Sequence, residues 1–165
     1  LTMGPGREVL SPRVLAKLIQ LAAFEATDSV LVVSAAGYAA AVVAEMVGKV
    51  TALLPDQESA TIAGSGFAAS ALSNAVAVTG PSEAGWAAQA PYDVILIEGG
   101  VEQIPDTLKS QVRENGRIVA IATNDKIGRA VELHKRGDVF ARREGFQAAA
   151  KTVSGFTETK PAFVF

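Results

Sequence analysis

The chain has no cysteine and a single histidine, His134, among its 165 residues. That excludes disulfide frameworks, thiol nucleophiles, iron–sulfur clusters and the usual zinc sites, and no metal site is expected. Any chemistry falls to carboxylates, hydroxyls, backbone amides or a cofactor. A charge excess is lacking too: 15 Lys and Arg against 17 Asp and Glu leave a net charge of −2. Nothing in that balance draws a phosphate backbone or an anionic membrane, so neither nucleic acid nor membrane is expected as a partner. The apolar runs, such as residues 30–33 and 94–97, are strand-sized and far from the roughly 20 residues that span a bilayer. The first residues lack a basic region followed by an apolar run, so the chain reads as cytoplasmic. With 49% apolar and 19% charged residues, the composition is that of a packed globular protein. Without repeats or linkers, residues 1–165 are expected to form one domain.

Punctuation and periodicity supply the rest. Gly4-Pro5-Gly6 reads as a loop, and Ser11-Pro12 is a helix start with a hydroxyl N-cap and a proline at the first helical position. Val14, Leu15, Leu18, Ile19 and Ala22 recur at helical spacing, predicting an amphipathic helix to about Phe24. Residues 29–33 give a strand, apolar at every position after Ser29, as in a parallel strand covered on both faces. After a turn over 34–38, residues 39–47 favour a helix, Gly48 is a plausible stop, and 49–54 give a second strand. The crossover of such a unit is right-handed. Residues 57–74, rich in Ser, Ala and Gly, predict a short or irregular helix, followed by a strand over 75–79.

Gly80-Pro81 breaks the chain before the clearest strand, 92–97, which Glu98-Gly99-Gly100 ends. A helix over 105–113, a turn at Asn115-Gly116 and a strand over 117–122 follow. Residues 130–136 and 138–143 read as two strands around Gly137, added antiparallel at the C-terminal edge, before a loop and the apolar end Phe163-Val164-Phe165. The expected fold class is α/β: a Rossmann-like, doubly wound, mostly parallel sheet with an antiparallel C-terminal edge.

Four segments carry a resemblance. They are Leu10-Ser11-Pro12-Arg13-Val14-Leu15-Ala16, Gly37-Tyr38-Ala39-Ala40-Ala41-Val42-Val43-Ala44, Pro91-Tyr92-Asp93-Val94-Ile95-Leu96-Ile97-Glu98-Gly99 with Ile104-Pro105, and Glu114-Asn115-Gly116-Arg117-Ile118-Val119. In this order the chain resembles, over nearly its whole length, the protein-L-isoaspartate O-methyltransferase family of class I S-adenosylmethionine-dependent methyltransferases. The resemblance implies methyl transfer from S-adenosylmethionine to the carboxylate of L-isoaspartyl residues in damaged proteins, after which the ester closes to a succinimide. It implies isoaspartyl peptides or proteins as partners and further residues N-terminal to Leu1 that help cover the cofactor. It leaves a homo-oligomer open.

In such a fold the cofactor lies across the carboxyl ends of the first strands, where strand order reverses. The resemblance therefore places the cofactor against the loop Val33-Ser34-Ala35-Ala36-Gly37, the end of the second strand at Leu54, Thr79 and Gly80 after the third, and Glu98 after the fourth. The loop departs from the family pattern by keeping only its last glycine, and each added Cβ takes space or forbids a positive φ. Leu54 stands where the family has a ribose-binding acid. Ser11 falls one residue late for the family's substrate serine, so it is an N-cap or a catalytic hydroxyl. Little acid–base help is needed, because a carboxylate is already a nucleophile at neutral pH and catalysis rests on alignment.

Other residues have two readings. Asp56 caps the next helix or reaches the ribose, and Glu98 faces the site or the solvent. Trp86 packs in the core or stacks on adenine. Tyr38 is expected to pack behind the loop, His134 to sit solvated on an edge strand, and Arg142-Arg143 is too small for a polyanion site. A non-catalytic relative acting in partner binding or self-association remains open beside the enzyme. A nicotinamide-dependent protein ranks last, since no G-x-G-x-x-G follows the first strand.

Overall fold

The computed structural model describes residues 9–124 and 127–158. The Gly4-Pro5-Gly6 loop and the Phe163-Val164-Phe165 end lie outside them. Helix α1 (Pro12–Ala22) leads into β1 (Ser29–Val33), α2 (Tyr38–Ala44), β2 (Lys49–Leu54), α3 (Gln57–Ala69) and β3 (Ala75–Thr79). Two short 3-10 turns then precede β4 (Tyr92–Val101), α4 (Asp106–Lys109), β5 (Val112–Ala122), β6 (Arg129–Arg136) and β7 (Val139–Gln147). The seven strands form one sheet in the order β3-β2-β1-β4-β5-β6-β7. The first five are parallel, and β6 and β7 add antiparallel at one edge, as the sequence predicts. Among the described residues no helix is long and apolar enough to cross a membrane.

The continuous apolar strands are explained by cover on both faces. Val30 and Val32 of β1, with Val94 and Leu96 of β4, join a cluster under α1, α2 and α3. Their neighbours Leu31, Val33, Ile95 and Ile97 join a second cluster with Leu108 and Phe156 on the other face. Period-two alternation thus feeds two cores at once.

Helix α1 starts as expected, with Ser11 Oγ accepting the Val14 N–H at 3.4 Å and Pro12 opening the first turn. It ends before Phe24, at Ala23, whose φ of 47° is left-handed. The Arg117 guanidinium closes that end, donating to the Ala22 carbonyl at 2.5 Å and the Ala23 carbonyl at 2.8 Å. A cation there complements the negative pole of the helix. Helix α2 is shorter than predicted, and Gly48 is not its stop: the Asn74 amide takes the Ala44 and Val47 carbonyls at 2.8 and 2.9 Å. Helix α3 is longer and more regular than predicted, with 13 residues capped by Asp56, whose Oδ1 accepts the Ser59 N–H at 2.7 Å. Burial of Ala60, Ala63 and Phe67 outweighs the poor propensity of its glycines and serines.

Strand β4 does not stop at Ile97. It runs on through Glu98-Gly99-Gly100 to Val101, with a register shift between Leu96 and Gly100. The predicted helix over 105–113 shrinks to α4, because β5 begins at Val112. Asn115-Gly116 is a bulge inside β5, not a turn before it: Asn115 adopts φ 63° while Tyr92 pairs Val112 and Val94 pairs Arg117. His134 is not on an edge either. Strand β6 is flanked by β5 and β7, and the half-buried imidazole Nδ1 lies 3.9 Å from Glu132 Oε1. Arg142 and Arg143 on β7 pair with Glu144 and Glu132 at 3.3 and 2.7 Å. Tyr38 does not pack behind the loop; its side chain is 56% exposed.

Candidate active site

Strand order reverses between β1 and β4, and a cavity of about 680 Å³ opens there across the carboxyl ends of β1, β2 and β4. Parallel strands put the residues that follow each of them on one side of the sheet, which brings Ser34, Ala35, Pro55 and Glu98 together. The start of α1 adds Ser11 to the lining. A second depression of about 540 Å³, lined by Asp56, Thr79 and Gly80, adjoins it and shares Pro55, Ser82 and Ser154.

The structure thus gathers Ser11, Ser34, Ala35 and Glu98 at one cavity and Thr79 and Gly80 at its neighbour. It withholds the side chains of Val33 and Leu54, both of which are buried in the two cores. Ala36 and Gly37 are half-buried and line neither space. Gly37 serves helix packing instead, since a Cβ there would lie 2.5 Å from the Ala63 Cβ. Trp86 packs on the second core, with its carbonyl accepting the Tyr92 hydroxyl at 2.6 Å and its backbone N–H donating to Gln111 Oε1 at 2.9 Å.

Glu98 is the exceptional group. It is 2% exposed, so the surface reading fails, and its Oε2 lies 2.5 Å from Ser34 Oγ. Burial pushes its carboxyl up to about 7, with the Ser34 hydroxyl and the Leu10 backbone N–H pulling the other way. Neither gives Oε1 a partner in hydrogen-bond geometry among the described residues.

The segment after β7 is the part of the site that sequence reasoning missed. Residues 149–154 form one wall of the cavity, contributing Lys151, Thr152 and Ser154. Gly100 N–H donates to the Lys151 carbonyl and Val153 N–H to the Gly100 carbonyl, both at 2.8 Å. Glu102 ties the segment further by accepting the Glu158 N–H at 2.9 Å. The signal was Gly99-Gly100. A Cβ on Gly99 would strike Val153, and one on Gly100 would lie 2.8 Å from the Lys151 carbonyl oxygen, so these glycines admit the returning chain.

Comparison with known proteins fits this geometry. The family model described as Protein-L-isoaspartate(D-aspartate) O-methyltransferase matches residues 1–147. A protein-L-isoaspartate O-methyltransferase of Rhodopseudomonas palustris is 31% identical over 140 residues, covering 81% of this chain and 62% of that protein. The chain spans about half to three-fifths of the length of the curated relatives it matches. A solved protein-L-isoaspartate O-methyltransferase superposes with a TM-score of 0.79 at 23% identity, over 87% of this chain and 47% of that one. A Plasmodium falciparum candidate of the same kind, solved in complex with S-adenosyl-L-homocysteine, gives 0.73 at 13% identity, over 92% of this chain and 78% of that one. Both likenesses concern the fold.

Proposed function

Since the chain belongs to the protein-L-isoaspartate O-methyltransferase family, we propose that its cavity binds S-adenosylmethionine and aligns it with the carboxylate of an L-isoaspartyl residue in a damaged protein. The supporting observation is the open cavity at the strand-order reversal, lined by Ser34, Ala35 and Glu98 where β1 and β4 end side by side. The alanine-bearing loop does not close it: Ala35 forms part of the wall and Ala36 is not in the lining. An orphaned acceptor, Glu98 Oε1, suits a cationic cofactor. When bound, S-adenosylmethionine supplies an electrophilic methyl group.

The chain's own residues hold and orient. Ser34, Ala35 and Glu98 would take the amino-acid end of the cofactor, and Thr79, Gly80 and Asp56 the ribose and adenine end in the adjoining depression. Leu54 cannot substitute for the missing acid, being buried, whereas Asp56 two residues later borders the right space while capping α3. Ser11 would orient the acceptor, and Lys151 on the segment after β7 also lines the cavity. No general base is needed, because the acceptor carboxylate is ionised at neutral pH and rate comes from alignment. The same reading treats residues 1–165 as one methyltransferase-like domain.

The test pairs calorimetric titration of the protein with S-adenosylhomocysteine and transfer of labelled methyl to an isoaspartyl peptide. Micromolar binding and transfer to the isoaspartyl but not the aspartyl peptide are expected. No binding at millimolar ligand would overturn the proposal.

A further inference from the structure

Ser34 Oγ stands where three contacts cross. It accepts the Ala36 N–H at 3.1 Å, it closes on the Ala36 carbonyl oxygen, and it lies 2.5 Å from Glu98 Oε2. A serine hydroxyl carries one proton, so it can donate to the Ala36 carbonyl or to Glu98 but not to both. Were Glu98 ionised, the hydroxyl would turn to Oε2 and leave the Ala36 carbonyl, on a half-buried residue, to solvent. With the proton on Oε2 the three contacts of Oγ are met together: the Ala36 N–H and the Glu98 O–H donate to Oγ, and the Oγ–H donates to the Ala36 carbonyl, while the Leu10 backbone N–H is the further donor that favours the carboxylate. The remaining oxygen, Oε1, is then a carbonyl-type acceptor, buried and without a partner among the described residues, on a side chain that borders the cavity. Such a group is complementary to an N–H donor carrying positive charge.

We infer that Glu98 is a proton-exchanging site for a primary ammonium: a ligand's ammonium donates to Oε1 as the Glu98 carboxyl loses its proton to solvent. The inference rests on the cofactor reading above and adds which group of an S-adenosyl amino acid Glu98 meets and what is exchanged. The balance is simple. The ligand enters and stays as R–NH3⁺, the carboxyl becomes a carboxylate, one proton passes to the buffer, and no bond between heavy atoms forms or breaks. With Oε2 ionised, the Ser34 proton turns from the Ala36 carbonyl to Oε2, so the loop after β1 senses ligand through one hydroxyl rotation.

The surroundings set the pH range. Among the described residues, Lys151 on the segment after β7 is the other titratable residue lining the cavity; the loop after β1, the start of α1 and the turn at Ser82 present hydroxyls and backbone. Because the free carboxyl titrates at about 7, ligand binding releases a proton below that pH and has none to release well above it.

Calorimetry of the whole chain with S-adenosylhomocysteine, in two buffers of unlike ionisation enthalpy, counts the protons. Nearly one proton released per ligand is expected near pH 6 and almost none near pH 8.5, with affinity falling about tenfold per pH unit on the acid side. 5′-Methylthioadenosine, which keeps the nucleoside but lacks the ammonium, should bind without proton release. Glu98→Gln, an isostere of the neutral acid, should abolish the release and flatten the pH dependence. Carboxyl-carbon NMR of the wild-type protein, which needs no variant, should show Glu98 titrating near neutrality when free and well below it when saturated. S-Adenosylhomocysteine binding without proton release near pH 6 would overturn the inference and leave the cofactor reading intact. Absence of any nucleoside binding by the folded protein would overturn both.

Discussion

Gly37 faces Ala63 so closely that a methyl group placed on Gly37 would come within 2.5 Å of the Ala63 Cβ. The one glycine left in the loop after β1 is thus spent on the approach of α2 to α3, and the cavity wall is made by Ser34 and Ala35 instead. Gly37→Ala should therefore act through packing, destabilising the fold by about 1–3 kcal/mol. Urea unfolding at unchanged m-value measures it, and a wild-type midpoint would contradict the assignment.

Gly66 is the opposite case. It sits exposed inside α3, and a Cβ there would meet nothing within 4 Å. Gly66→Ala should raise stability by roughly 0.5–1 kcal/mol through helix propensity alone, seen as a higher melting temperature.

Ser11 both caps α1 and lines the cavity, so its two roles need separating. Ser11→Ala should cost about 1 kcal/mol of stability, and Ser11→Asp, another good cap, should restore it. If the hydroxyl orients the acceptor, the aspartate variant stays stable yet loses methyl transfer about tenfold or more. Activity that follows stability across both variants would leave Ser11 as a cap only.

Glu98 makes stability depend on pH. Its carboxyl is raised from 4.5 to about 7 by burial, so the folded state holds a proton that the unfolded state has released. The favourable contribution is whole below about pH 4.5 and is lost as pH rises through about 7. Relative to Glu98→Gln, the ligand-free wild type should weaken across that window by a few kcal/mol, on the order of 3 at most. Parallel unfolding profiles of the two proteins would argue that Glu98 titrates normally.

Gly100→Ala should release the segment after β7, because the new methyl would meet the Lys151 carbonyl at 2.8 Å. Amide exchange at Val153 and Phe156 should accelerate about tenfold or more while β1 stays protected. Unchanged exchange would mean that the segment is held by other contacts.

The chain's local chemistry fixed its elements and their order. Ser11-Pro12 started α1, successive apolar residues marked β1 and β4 as strands with two covered faces, and Gly137 at φ 59° joined β6 to β7. Those features depend on neighbours in sequence, so they were legible there, and the motif residues carried the family with them. Tertiary contacts decided what local signals could not. Burial made α3 long despite its glycines, strand pairing turned Asn115-Gly116 into a bulge, and helix packing claimed Gly37. The site belongs mostly to this second group. Ser34 and Glu98 stand 64 positions apart and meet because β1 and β4 are adjacent in the sheet, while Lys151 and Ser154 reach the cavity because two glycines let the chain return over the strand ends. Sequence periodicity reports which face of an element is apolar; the burial that holds a proton on Glu98 exists only once separate elements close around it.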